Sequence, residues 1–233
     1  MTENSLPDRF TSSSLVRQLQ LLTGAKVQAP PPGLDTRLGE LIDLSDSVQL
    51  ANAQMPPLSG TYEASAVAGT NARADFLEVR ATLLKGLEKS FNPGSGYVRI
   101  KLPRPGHVAA GQEGEAFAPY QRFYAAHQRE IDFRVQGLRQ RVRDVLTQST
   151  PDLKQLARLD ETMAELTSSY SRKGFNRVSD LLFTRYADLQ DPDLLDGDDS
   201  PHHRFCLELK NLLLAEIEAR LDPVLGLLEA LDE

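Results

Sequence analysis

The sequence predicts an all-α fold, an elongated bundle of about six helices, and three observations carry that prediction. First, Phe117, Tyr120, Tyr124, His127, Ile131, Val135, Leu138, Val142 and Val145 recur three or four residues apart. That spacing places them on one face of an amphipathic helix of roughly nine turns, about 46 Å at ~1.5 Å per residue. Second, Leu and Ala dominate the periodic segments, Trp is absent and aromatics make up 6% of the chain. That composition favours helices over strands and predicts a largely aliphatic core. Third, helix stop-and-restart signals punctuate the chain, most clearly Ser149-Thr150-Pro151-Asp152 and Ser200-Pro201. Each offers a capping hydroxyl followed by Pro in the first turn, where its missing N–H costs nothing.

Taken in order, a first helix is expected over Ser13–Thr23, capped by Thr11 or Ser12, with Leu15, Leu19 and Leu22 buried and Gly24 as its stop. The stiff Pro30-Pro31-Pro32 follows, then a second helix from Asp35 to Ala53. Pro56-Pro57 ends it, and the Ser, Gly and Ala-rich stretch to Thr70 reads as a loop. A third helix is expected from an Asn71 cap to Phe91, where Asn92-Pro93-Gly94 breaks it. The fourth helix is the long one, Phe117–Gln148. The fifth runs from Pro151 to about Leu189 with Gly174 as a candidate bend. The last carries Phe205 to Leu231, and Pro223 is expected to kink or divide it. The short connection between the fourth and fifth makes them antiparallel neighbours. Consecutive four-residue steps at His127–Ile131–Val135 break heptad order, which favours a local bundle over a regular two-stranded coiled coil.

Residues 92–116 form an irregular arm. Tyr97–Leu102 alternates so that Val98, Ile100 and Leu102 share one side, as in a strand. A lone strand makes no sheet, so these side chains are expected to tuck against the helices. Adding to a partner's sheet edge is the functional alternative. Gly106–Gly114 reads as flexible. The chain thus divides into an N-terminal helical part (1–91), a connector (92–116) and a long-helix bundle (117–233), expected to form one continuous domain.

Apolar residues at 40% and charged residues at 25% suit a folded chain, not a disordered one. The single Cys206 rules out an internal disulfide, which fits a reducing compartment. The first ten residues lack a signal-peptide layout, and no apolar run reaches the ~18 residues of a membrane span. A cytoplasmic protein without direct membrane insertion is expected. The net charge of −7 is uneven: residues 188–233 hold 13 acids and 3 bases, leaving 20 acids and 23 bases in residues 1–187. An acidic final section on a weakly basic body argues against nucleic-acid binding by the whole chain and permits head-to-tail pairing. Solvated helix faces are the simpler explanation.

Candidate sites are few. His202 and Cys206 lie four apart on one helix face, beside His203 and the acids Asp196, Asp198 and Asp199, which makes 196–206 the metal candidate. Against it, Pro201 puts the histidines in a first turn and Cys206 adjoins Phe205 on an apolar helix, so the expectation is no metal and no cofactor. Asp191 to Gly197 fails calcium-loop spacing because its third acid and its Gly come one residue late. The long helix carries Arg122, Arg129, Arg134, Arg139, Arg141 and Arg143 against Glu130, Asp132 and Asp144. Such a stripe suits phosphates, but also a solvated face with pairs such as Glu130–Arg134. His127, on the apolar stripe, is expected to be buried or half-buried and hydrogen-bonded. No nucleophile with a base, phosphate loop or paired catalytic carboxylates stands out, so no enzyme is expected.

Several segments together resemble a known family. They are Arg9-Phe10-Thr11-Ser12-Ser13 to Leu22, Arg37-Leu38-Gly39-Glu40 to Ala51, Phe117-Ala118-Pro119-Tyr120 through Arg141-Val142-Arg143, and Leu156-Ala157-Arg158-Leu159-Asp160. The family is an uncharacterised proteobacterial one, the domain of unknown function numbered 3348. The resemblance carries no catalytic residues. It implies genomic neighbours that look like proton-channel motor subunits and peptidoglycan-binding outer-membrane-protein-A-like domains, and hence a cytoplasmic accessory of an envelope complex. The expected function is therefore a non-enzymatic interaction or scaffold subunit, self-associating or joined to motor-like membrane proteins. Apolar stripes would supply the energy and flanking charges would select the partner. The alternatives are a nucleic-acid-associated regulator using the basic fourth helix and a metal-dependent enzyme around 196–206.

Overall fold

A computed structural model of the chain describes residues 13–24, 44–54, 66–92, 94, 97–104, 113–189 and 200–232. Among the described residues the structure is an all-α helical bundle of six helices with no strand. They are α1 (Ser14–Thr23), α2 (Leu44–Ala53), α3 (Ala66–Phe91), α4 (Glu113–Thr147), α5 (Pro151–Asp188) and α6 (Pro201–Glu229).

The terminators act much as their chemistry requires. Gly24 ends α1 with φ 63°, the left-handed conformation that a side chain would oppose. At the start of α5, the Leu153 amide donates to Thr150 Oγ1 at 3.4 Å and the Lys154 amide to the Thr150 carbonyl at 3.0 Å. Asp152 lies in that first turn, near the positive end of the helix. The α1 cap is different from the expected one. Ser13 occupies the capping position without a side-chain cap bond, and its carbonyl accepts the Arg17 amide at 3.1 Å. Thr11 and Ser12, like residues 35–43 of the expected second helix, lie outside the described residues.

Two boundaries move outward. α3 opens at Ala66 rather than Asn71, because the Ala-rich run before Asn71 has helix-forming residues and no proline to stop it. α4 opens at Glu113, four residues before Phe117, and takes in Pro119, which forfeits one backbone hydrogen bond. Phe117 and Tyr120, both buried, anchor the turn around that proline. The expected bend at Gly174 and the expected kink or division at Pro223 do not end their helices. α5 runs unbroken through Gly174 and α6 through Pro223, whose neighbours Leu221 and Val224 are buried. At Pro223, burial on both sides outweighs the local cost of the proline.

The helices form two compact units. The first comprises the described parts of Met1–Gln28, Arg80–Phe133 and Phe175–Arg220, and the second those of Ala29–Val79, Arg134–Gly174 and Leu221–Glu233. Aliphatic side chains make up most of the core, but the buried aromatics gather in the first unit. There Phe205 meets Tyr186 at 5.1 Å and Tyr120 at 5.3 Å between ring centroids, both near-perpendicular. Phe117 adds Phe183 at 5.4 Å, and Phe91 meets Phe123 at 5.4 Å. Edge-to-face contacts of this kind add about 0.5–1.5 kcal/mol each beyond area burial. The Ser14 hydroxyl ties α1 to α6 by donating to Glu218 at 2.9 Å.

The second unit is aliphatic, with Leu138, Val142, Leu146 and Val224 fully buried. Its polar framework is ionic. Asp160 of α5 accepts from Arg139 and Arg143 of α4, and Arg73 of α3 pairs with Asp232 beyond α6. The Gln155 amide donates to the Gln54 carbonyl at 2.7 Å, tying α5 to the end of α2. No helix among the described residues is long and apolar enough to cross a membrane.

Candidate interaction face on the long helix

In the first unit, the inward side of α4 presents Phe117, Tyr120, Phe123, Tyr124, His127 and Ile131, all buried. Spaced in this way along the chain, they fall on one face of a helix with a 3.6-residue period. Beneath them lies a buried carboxylate. Glu216 of α6 is 0% exposed, and three side-chain donors reach it. Tyr124 donates its hydroxyl at 2.7 Å, Arg220 its Nε at 3.0 Å, and Gln128 its amide at 3.3 Å. A charge removed from water survives only with such partners. Burial and the adjacent Glu216 hold the Tyr124 hydroxyl protonated by pushing its pKa far up. Arg220 also reaches Asp132 at 3.0 Å and stacks over Phe175, its guanidinium carbon 3.9 Å from the ring centroid. The cluster therefore runs from a sealed carboxylate to the surface through one arginine.

A second polar group joins α4 to the start of α6. His202 Nε2 lies 2.8 Å from the Tyr120 hydroxyl, and Cys206 Sγ lies 3.5 Å from the same nitrogen. Burial pushes the Cys206 thiol up to about 11, so it stays protonated and unreactive at neutral pH. Burial, then the neighbouring His203, lowers the His202 pKa. The sequence's metal candidates are thus divided: His202 is turned to Tyr120, Cys206 is buried, and His203 is exposed. Asp196, Asp198 and Asp199 lie outside the described residues. Among the described residues, no group of three His, Cys, Asp or Glu side chains is placed to hold a metal.

His127 departs from expectation. It is buried, but its Nε2 has no hydrogen-bond partner among the described residues. Its ring packs edge-on against Phe123 at 4.7 Å, and burial lowers its pKa to about 4.

The outward side of α4 carries Arg122, Ala126, Arg129 and Phe133, four positions that again follow the helical period. Arg122 and Arg129 are exposed and have no ion-pair partner among the described residues. Phe133 is 78% exposed. The acids flanking this stripe are both occupied. Glu130 accepts from Arg99 at 3.2 Å, and Asp132 is held by Arg220. The Arg99 contact draws the 97–104 segment to the same stretch of α4, and the Leu102 amide secures it to the Ser90 carbonyl at 3.3 Å. Val98 is buried and Ile100 and Leu102 are half-buried, while Tyr97 stands 89% exposed.

The remaining arginines of α4 are spoken for. Arg139 and Arg143 share Asp160, with Nε contacts of 2.8 and 2.7 Å, and Arg141 meets Asp75 at 2.9 Å. Arg134 is half-buried and engaged. The six arginines therefore do not make one unpaired stripe. Sequence reasoning missed Phe133 and Tyr97. The available signal was Phe133 itself, a large aromatic lying between the stripe positions Ile131 and Val135.

A family model described as "Protein of unknown function (DUF3348)" matches residues 1–233. The chain belongs to the DUF3348 family. No curated protein and no solved structure matches it. The segments that carry the DUF3348 resemblance include the whole inward face of α4 in the first unit, and this face is engaged in packing, with Tyr124 and Gln128 on Glu216 and Tyr120 on His202.

Proposed function

We propose that this DUF3348 chain is a non-enzymatic interaction subunit whose working surface is the outward stripe of α4. The observation that carries the reading is Phe133: a phenyl ring 78% exposed, one turn from Arg129, which has no ion-pair partner among the described residues, on a helix whose opposite face is buried in the first unit. Aromatic and arginine side chains supply most hot spots of protein interfaces, because they combine large area with directed bonding. The Glu216 cluster and the Tyr120–His202 contact of the first unit fit structural duties instead, since their groups are engaged by protein neighbours or, like Cys206, held in an unreactive form. For nucleic acid the stripe is too short, because Arg139, Arg141 and Arg143 already bind carboxylates. Following the family resemblance, the proposed partner belongs to a membrane motor-like complex, engaged from the cytoplasmic side.

The test is an affinity isolation of the tagged chain from its native cell, run beside a Phe133→Asp variant of equal melting temperature. Co-isolation of motor-like subunits that disappears with the variant is the expected result. Partners that ignore the substitution, or none that reproduce, would refute the reading.

A further inference from the structure

The chemistry of the α4 stripe specifies its partner more closely, an inference that rests on the interaction reading above. Three features set the specification. Arg122 and Arg129 are both exposed and without carboxylate partners among the described residues. They are seven residues apart, two helical turns, so their Cα atoms are about 10 Å apart along the axis. Phe133 follows Arg129 by one turn and Ala126 lies between the arginines, so the stripe alternates charge with apolar surface. Of the two acids that flank it, Glu130 is paired with Arg99 and Asp132 shares Arg220 with Glu216, so among the described residues the unpaired charges of the stripe itself are those of Arg122 and Arg129.

A face of this form is matched by a second helix laid alongside it. Helices packed at shallow angles keep residues seven apart in register, so two carboxylates at that spacing would meet both arginines. An apolar side chain one turn further would cover Phe133. Arginine is suited to this task because its planar fork binds carboxylates bidentately. We infer that the α4 stripe docks an acidic amphipathic helix of a different protein, with carboxylates seven residues apart against Arg122 and Arg129 and an apolar residue against Phe133.

The experiment places a photoreactive phenylalanine analogue at position 133 of the full chain in its native cell and identifies the adduct by peptide mass spectrometry. An acidic segment with helical apolar periodicity supports the inference. So does a loss of that adduct by tenfold or more in an Arg122→Glu/Arg129→Glu variant with unchanged helicity and melting temperature. An adduct on a basic or neutral segment, on a second copy of this chain, on nucleic acid or on lipid overturns it. Absence of any adduct at position 133, or an adduct indifferent to the charge reversal, overturns it too. If the partners lost with Phe133→Asp are real but the crosslinked segment is not acidic, this inference falls while the interaction reading stands.

Discussion

Tyr124 of α4 donates its hydroxyl to Glu216 of α6 across 2.7 Å, and neither side chain is more than 1% exposed. The bond is charge-assisted and has no solvent to replace it. Hydrogen bonds to buried charges contribute about 1.5–3 kcal/mol. Tyr124→Phe should therefore lower the unfolding free energy by about 2 kcal/mol, read by urea denaturation with an unchanged slope. A loss below about 0.5 kcal/mol would mean that Gln128 and Arg220 alone satisfy the carboxylate.

His127 should make stability depend on pH. Its folded pKa, about 4, lies below the value of 6.5 for the free side chain, because burial disfavours the charged ring. The unfolded chain thus binds the proton more readily, and stability falls as pH drops from about 6.5 to about 4. Integrated over that window the effect reaches about 3 kcal/mol. His127→Leu should flatten this portion of the stability curve relative to the unsubstituted chain. Parallel curves for the two proteins would remove His127 as the cause.

Ser168 to Gly174 are seven consecutive exposed residues of α5, two turns of helix with no buried side. Serine and glycine are weak helix formers, so these turns lean on their neighbours for order. Amides of this stretch should exchange with deuterium well before those around Leu182 or Ala157, both buried. Nothing lies within 4 Å of a Cβ added at Gly174. Gly174→Ala should accordingly stabilise the chain by about 0.5–1 kcal/mol and slow that exchange. A destabilised variant would show that the turn is not helical in solution.

The ion pairs of the second unit should differ in weight. The side chains of Arg143 and Asp160 are only 10% and 11% exposed, and Arg139 shares the same carboxylate. Removing Asp160 strands two arginines, so Asp160→Ala should cost about 3 kcal/mol or more. Arg141 and Asp75 are 52% and 45% exposed, and Arg141→Ala should cost under about 1 kcal/mol. Equal losses in thermal or denaturant melts would contradict this ordering.

Much of this architecture was legible from local chemistry. The inward stripe from Phe117 to Val142 follows directly from the helical period, and Thr150-Pro151 and Gly24 act where their backbone preferences require. The outward boundaries of α3 and α4 were harder: the expected Asn71 cap competes with helix-forming residues just before it, and α4 takes in residues 113–116 ahead of the aromatic stripe that begins at Phe117. Gly174 reads as a bend and Pro223 as a kink or division because propensity counts only local cost, whereas at Pro223 buried neighbours such as Leu221 and Val224 hold the helix through it.

By itself, the sequence determined the helical fold, its family and the face of α4 that packs inward, since periodicity and capping act over a few residues of one chain segment. Only the tertiary structure decided which charges are used up. Arg139 and Arg143 are separated from Asp160 by 21 and 17 residues, Tyr124 from Glu216 by 92, and Asp132 from Arg220 by 88. No spacing rule spans such distances. The arginines of α4 look alike in sequence, and it is the placement of distant carboxylates that leaves Arg122 and Arg129 without an ion-pair partner among the described residues, beside an exposed Phe133.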